Sequence, residues 1–150
     1  PIAGTYTEQA IKNETYDDQQ RAYDRAREMF RAHPDLKGWQ GSASTDVAGV
    51  GLAVSELGLE DRTCVVGTSL PSIASKYLET GAVDLITFWD PALAGYLMNK
   101  IATIVLQGGE IRTGDDLGIE GYRNVRVEGK VIYGQAWVDV TAENMHEYPF

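Results

Sequence analysis

The chain has 150 residues, a formal net charge of −9 and a single cysteine, Cys64. That length builds one ordinary core, the apolar fraction of 43% is that of a globular domain, and no apolar run reaches the ~20 residues that span a bilayer. The acidic balance excludes the phosphate attraction on which nucleic-acid binding rests, and speaks equally against anionic membrane surfaces, so neutral ligands are left as the open class.

Residues Pro1–Tyr16 are polar and without clean periodicity, with Ile2–Tyr6 as a candidate strand. From Asp17 the pattern is helical: Asp17 and Gln20 have capping-box spacing, Ala22, Tyr23, Ala26, Met29 and Phe30 form one apolar stripe, and His33–Pro34 ends it. Lys37–Gly41 is then a short strand. The small-residue turn Ser42–Asp46 leads into a helix that stops at Gly58, in which Ala48, Gly49 and Gly51 offer a thin wall for packing against a sheet. Arg62–Gly67 is the next strand, with Cys64 expected in the core, and Ser72–Thr80 the next helix. Leu85–Trp89, β-branched and aromatic, suits a strand buried on both faces. Asp90 caps and Pro91 opens the helix that follows, whose Leu93, Leu97, Ile101, Ile104 and Val105 recur at helical spacing until Gly108–Gly109. Beyond it, Val125–Val127 and Val131–Tyr133 flank Glu128–Lys130 as a hairpin. Trp137–Val140 is a last extended piece, and Thr141–Tyr148 a short capped helix.

Strands alternating with helices over short turns predict an α/β fold, a Rossmann-like doubly wound parallel sheet with right-handed crossovers. In such sheets ligands bind beyond the strands' carboxyl ends. Three polar turns lie there: Ser42–Asp46 with Ala43 and Ser44 inside it, Thr68–Ser69, and Trp89–Asp90. An indole beside a carboxylate suits a polyhydroxylated molecule, while the competing reading makes Trp89 core and Asp90 only a cap. Taken singly, each turn also reads as ordinary helix-cap chemistry. Catalytic chemistry is sparse. His33 and His146 offer neither a metal pair nor a nucleophile–base pair, and no phosphate-cradling or nucleophile-elbow string occurs, so neither an enzyme nor a cofactor is expected.

Three strings carry a family resemblance: TFWDPALAGYLMNKIATIVLQGG (87–109), GDDLGIEGYRNV (114–125) and VIYGQAWVDVTAENMHEYPF (131–150). Together they resemble the carboxyl-terminal part of the solute-binding proteins of bacterial ABC sugar importers, most closely the rhamnose and autoinducer-2 branch. AHPDLKGWQGSASTDVAGVGLAVSELG (32–58) and VVGTSLPSIASKYLETGAV (65–83) resemble that family's upstream units, so the likeness runs from about Asp17 to the end.

The resemblance implies two lobes of the type I periplasmic-binding-protein fold closing on a sugar or sugar-like ligand, a membrane permease as partner, and a periplasmic location. Carried over by position, it puts ligand contacts at Ser42, Ala43, Ser44, Trp89 and Asp90. Thr68 and Ser69 stand in a turn where many sugar-binding relatives have an aspartate. The start at Pro1, without an initiator Met or a charged-then-apolar leader, fits either a removed leader or a fragment, and the resemblance implies that the chain is a carboxyl-terminal fragment. The helix after Asp90 would then have lost its partner lobe, leaving its Leu93–Val105 stripe open to self-association or exchange between copies. The effector-sensing domain of a sugar-responsive repressor is the alternative, and a small α/β enzyme the third.

Overall fold

The computed structural model describes residues 12–149, so the candidate strand Ile2–Tyr6 lies outside the described residues. Three β-α units follow a first helix in chain order: α1 (Gln19–Ala32), β1 (Gly38–Gly41), α2 (Ser44–Leu57), β2 (Cys64–Thr68), α3 (Pro71–Glu79), β3 (Leu85–Trp89) and α4 (Pro91–Leu106). A hairpin of β4 (Arg126–Glu128) and β5 (Val131–Tyr133), then β6 (Trp137–Val140) and a 3₁₀ turn at Met145–Glu147, complete the described chain. Strands β1, β2 and β3 pair in parallel, as their helical crossovers require. The sheet order is β1-β2-β3-β6, and β6 runs antiparallel to β3, with Trp89 opposite Trp137.

Local chemistry accounts for most element ends. The α1 cap is Asp18, whose carboxylate accepts from the Arg21 amide at 2.8 Å, one residue later than the spacing of Asp17 suggests. Asp17 instead accepts from the Thr45 hydroxyl at 2.8 Å, joining the start of α1 to the first turn of α2. Gly58 ends α2 in the left-handed region at φ 62°, where a Cβ is disfavoured. The β4–β5 turn needs the same freedom at Gly129, φ 60°.

The main core lies between the sheet and helices α1–α3. It is built from Val47, Val50, Val54, Val65, Val83, Ile86 and Phe88, with Phe30 and Tyr77 at its margins. The glycines of α2 thin its wall toward neighbouring helices, not toward the sheet. A Cβ on Gly49 would stand 2.5 Å from the Gln19 carbonyl and 2.7 Å from the Ala22 Cβ of α1, and one on Gly51 would meet the Tyr77 ring of α3 at 2.9 Å. Cys64, expected inside, is outside, and Trp89 is exposed against the competing reading that made it core. Cys64 is exposed, because strand alternation points Val65 inward and its neighbour outward. Partial desolvation of the thiol, with the Asp84 carboxylate beside it, pushes its pKa up. Trp89 is exposed as well: β3 buries Ile86 and Phe88 but ends in the open.

A second, smaller core sits under α4. Leu97 packs there with Leu117 and Val125, and Ile101, Ile104, Ile111 and Ile132 close around them. Much of the α4 stripe is therefore covered by the chain's own 111–132 segment. Val105 remains exposed, along with Tyr96, Met98 and Leu106 on other sides of the helix. The tail is held by the Asn144 side chain, which accepts from the Thr141 amide at 2.8 Å and donates to the Asp139 carbonyl at 3.1 Å; only Met145–Glu147 is helical, not the whole of Thr141–Tyr148.

The close seat of α1 on α2 makes Gly49→Ala informative. The added methyl meets backbone, which cannot swing away, so the substitution is expected to cost about 1–3 kcal/mol. Thermal denaturation should show the midpoint lowered by about 2–4 °C for each kcal/mol lost. An unchanged midpoint would contradict the packing of these two helices.

Candidate functional site

The carboxyl ends of β1, β2 and β3 lie side by side, and close approach there depends on two glycines that face each other in register, Gly41 and Gly67. A Cβ on Gly67 would be 2.3 Å from the Gly41 carbonyl oxygen, and one on Gly41 would be 2.9 Å from the Asp46 Cβ. With no side chains in the way, the turns after the strands interlock.

Asp46, buried in the first turn of α2, organises the first of them. Its Oδ2 accepts from the Ser42 and Ala43 amides at 3.1 and 2.9 Å, and its Oδ1 from the Thr15 hydroxyl at 2.5 Å. Two amides that would suit a ligand are thus already engaged. Ser42 is exposed, and Ala43 and Ser44 are half-buried. Ser69 joins the second turn to the first and to strand β3. It is buried, its hydroxyl donates to the Ser44 carbonyl at 2.7 Å, and its amide donates to the Thr87 carbonyl at 3.2 Å. Thr68, half-buried, ends β2 beside it.

At the third turn Asp90 caps α4, its Oδ1 accepting from the Ala92 amide at 2.7 Å and the Leu93 amide at 3.3 Å. Both caps fall on one oxygen. Trp89, 47% exposed, meets the Trp137 ring edge-to-face at 5.3 Å and 87°. The two indoles form one side of a cleft of about 290 Å³, with Ala94, Tyr122, Gly134 and Ala136 as the remaining lining. The cleft lies where the chain leaves the main core at Trp89 and returns to it at Trp137. Among the described residues no cluster of three or more histidine, cysteine, aspartate or glutamate side chains is placed to hold a metal ion.

Residues 2–110 match the periplasmic binding protein domain family. The chain belongs to that family. Its members are substrate-binding proteins, not enzymes. Three solved structures share the fold. LsrB from Clostridium saccharobutylicum in complex with AI-2 is 20% identical with a TM-score of 0.69, over 91% of this chain and 47% of that one. A sugar ABC transporter protein from Actinomyces odontolyticus is 23% identical with a TM-score of 0.73, over 91% and 44%. An ABC transporter solute-binding protein from Clostridium phytofermentas with bound L-rhamnose is 15% identical with a TM-score of 0.67, over 89% and 46%. This periplasmic-binding-protein chain thus spans less than half the length of each.

The residues singled out from sequence do gather on one rim, at the strand ends where ligands of open α/β sheets sit. Three positions that shape the rim gave weaker signals. Asp46 stands at the capping distance from Ala43, a residue with no capping side chain, and so reads as one more small polar turn residue. Thr15 lies in a stretch without periodicity. Trp137 reaches Trp89 only through the pairing of β6 with β3, which joins residues far apart in sequence.

Removing the Asp46 carboxylate leaves three donors without their acceptor. Asp46→Ala is expected to destabilise the domain by about 1–3 kcal/mol. Amide exchange at Ser42 and Ala43 should accelerate well beyond that in the middle of α3. Hydrogen exchange read by NMR checks this, and unchanged protection at Ser42 and Ala43 would show that the turn is held by something else.

Proposed function

We propose that the chain is the carboxyl-terminal part of the substrate-binding component of an ABC importer, working in the periplasm. Its ligand is a sugar or sugar-like molecule of the rhamnose, other-monosaccharide or AI-2 kind, held between this lobe and an amino-terminal lobe. The observation that carries this reading is the exposed indole of Trp89 followed directly by Asp90 at the carboxyl end of β3. An indole face packs on the C–H face of a sugar ring, and a carboxylate accepts charge-assisted bonds from its hydroxyls. Because both helix caps use Oδ1 of Asp90, its Oδ2 is the oxygen assigned to the ligand. Ser42 offers a hydroxyl on the same rim, Ala43 and Ser44 form the wall beneath it, and Thr68 supplies a neutral hydroxyl. Ser69 acts through Ser44, whose carbonyl it holds.

The division of the apolar residues supports a two-lobe parent. The main core and the α4 core are separate clusters, joined by the chain's crossings at Trp89–Pro91 and Gly134–Trp137. Large apolar side chains of a helix are normally covered, yet Tyr96, Met98, Val105 and Leu106 of α4 are exposed. We assign the covering of those side chains to the amino-terminal lobe. In the chain alone the same side chains are the surface through which copies would associate or exchange α4. The permease is the further partner that this function requires.

Calorimetric titration of the full-length protein with a panel of L-rhamnose, other deoxysugars, pentoses and AI-2 tests the reading. Trp89→Ala and Asp90→Ala should each weaken the bound sugar about 10- to 100-fold, with the melting temperature of the unliganded protein little changed in Trp89→Ala and lowered in Asp90→Ala, which also removes the α4 cap. Unaltered affinity in both variants would remove the pair from the site.

A further inference from the structure

The segment before α1 reverses in a tight turn that its residues resist. Asp18 donates its amide to the Thr15 carbonyl at 3.1 Å, and the two residues between them, Tyr16 and Asp17, both stand at φ 56°. Two successive left-handed residues make a turn of type I′, which asparagine and glycine form readily and tyrosine does not. Among the described residues these are the only non-glycine positions with positive φ. Such a conformation persists only where the surroundings over-determine it.

Each residue of the turn contributes one side-chain contact to holding it. Thr15 is buried and donates its hydroxyl to Oδ1 of Asp46 at 2.5 Å, while Asp17 accepts from the Thr45 hydroxyl at 2.8 Å, so both pairs run to the first turn of α2. On the other side Asp18 accepts from the Arg21 amide at 2.8 Å, and the Arg21 guanidinium lies over the Tyr16 ring at 5.0 Å, which fastens the turn to α1. Tyr16 is 72% exposed, so burial does not account for the strained conformation. Nor does the start of α1, since capping requires only the Asp18 side chain. What the reversal adds is the reach of Thr15 and Asp17 to α2.

That reach ends on the first loop of the candidate site. Asp46 uses Oδ1 for Thr15 and Oδ2 for the Ser42 and Ala43 amides. Without the Thr15 hydroxyl its carboxylate can turn about the Cβ–Cγ bond and exchange oxygens between the two amides, and the loop loses its fixed reference. Asp17 holds the neighbouring Thr45 and so fixes the helical turn from which Asp46 projects.

Building on the sugar-binding reading above, we propose that Thr15 and Asp17 are positioning residues of the sugar site. The strained turn that carries them holds the Ser42–Ser44 loop in its binding shape before any ligand arrives. Neither residue touches the sugar. A loop already fixed loses no further conformational freedom on binding, so the two threonine–aspartate pairs act on affinity through the unliganded state.

Calorimetry and amide exchange on the full-length protein test this, with L-rhamnose, or the panel member that binds most tightly, as the probe. Thr15→Val keeps the shape of the side chain and removes the hydroxyl. It should weaken binding about three- to tenfold, the scale of one hydrogen bond, and Thr15→Ser should restore it. In the unliganded wild type the Ser42 and Ala43 amides should exchange as slowly as in the complex, whereas in Thr15→Val they should be slow only in the complex. A residue that merely stabilised the fold would lower the melting temperature without opening that gap between free and bound forms. Thr45→Val should act in the same way through Asp17, and it decides the matter if Thr15→Val does not fold. Wild-type affinity in the folded valine variants, no rescue by Thr15→Ser, or wild-type loop amides that become protected only on binding, overturns the positioning role and leaves sugar binding standing. A wild type that binds no sugar of the panel overturns both.

Discussion

A buried carboxylate held by neutral donors ties the rim of this domain together. Asp46 accepts two amides of the turn before α2 and one hydroxyl from the segment before α1. A buried carboxylate is tolerated only when its lone pairs are satisfied, so the turn and the Asp46 side chain hold each other in place. The same turn is fixed from its other side by the Ser69 hydroxyl on the Ser44 carbonyl, and Ser69 in turn holds β3 through the Thr87 carbonyl. The loops after β1 and β2 are therefore tied to each other and to strand β3. The close contact of Gly41 with Gly67 is the steric condition for it. A binding protein needs such an edge before the ligand arrives, because each loop that is ordered on binding costs affinity.

The second constraint is the double crossing beside Trp89. The chain leaves the main core after β3 and comes back as β6, laid antiparallel along the strand it left. Between the two crossings it builds a small core of its own, with Leu97 of α4 on Leu117 and Val125. The arrangement places an aromatic pair at the junction of two packed clusters. It also explains how a helix as apolar as α4 is satisfied on one side and bare on the others.

Much of this was legible in the sequence. The units β1-α2, β2-α3 and β3-α4 follow from apolar periodicity broken by Gly58, Pro71, Gly81, Asp90 and Pro91, all of which act locally. The rim positions Ser42, Thr68, Trp89 and Asp90 follow from the rule that strand carboxyl ends face one way. Long-range packing was not legible. Nothing local to Trp137 says that it pairs with Trp89, and nothing local to Gly49 says that its open side receives a helix and not a sheet. Cys64 reads as core by composition, yet strand alternation turns it outward. No element is legible between Gly109 and Val125, although the widely spaced Ile111, Leu117 and Ile119, with Val125, supply the cover for α4. Isolated apolar residues between glycines carry no period, and only their convergence in space shows what they do.

A structure of the full-length protein crystallised with L-rhamnose is the most direct measurement of where the ligand sits. The expected result is the sugar ring lying on the Trp89 face, a hydroxyl within hydrogen-bonding distance of Asp90, the Ser42–Ser44 turn on the same side of the ligand, and a second lobe closing over it. A sugar bound away from the carboxyl ends of β1, β2 and β3, with Trp89 and Asp90 still facing solvent, would contradict the account.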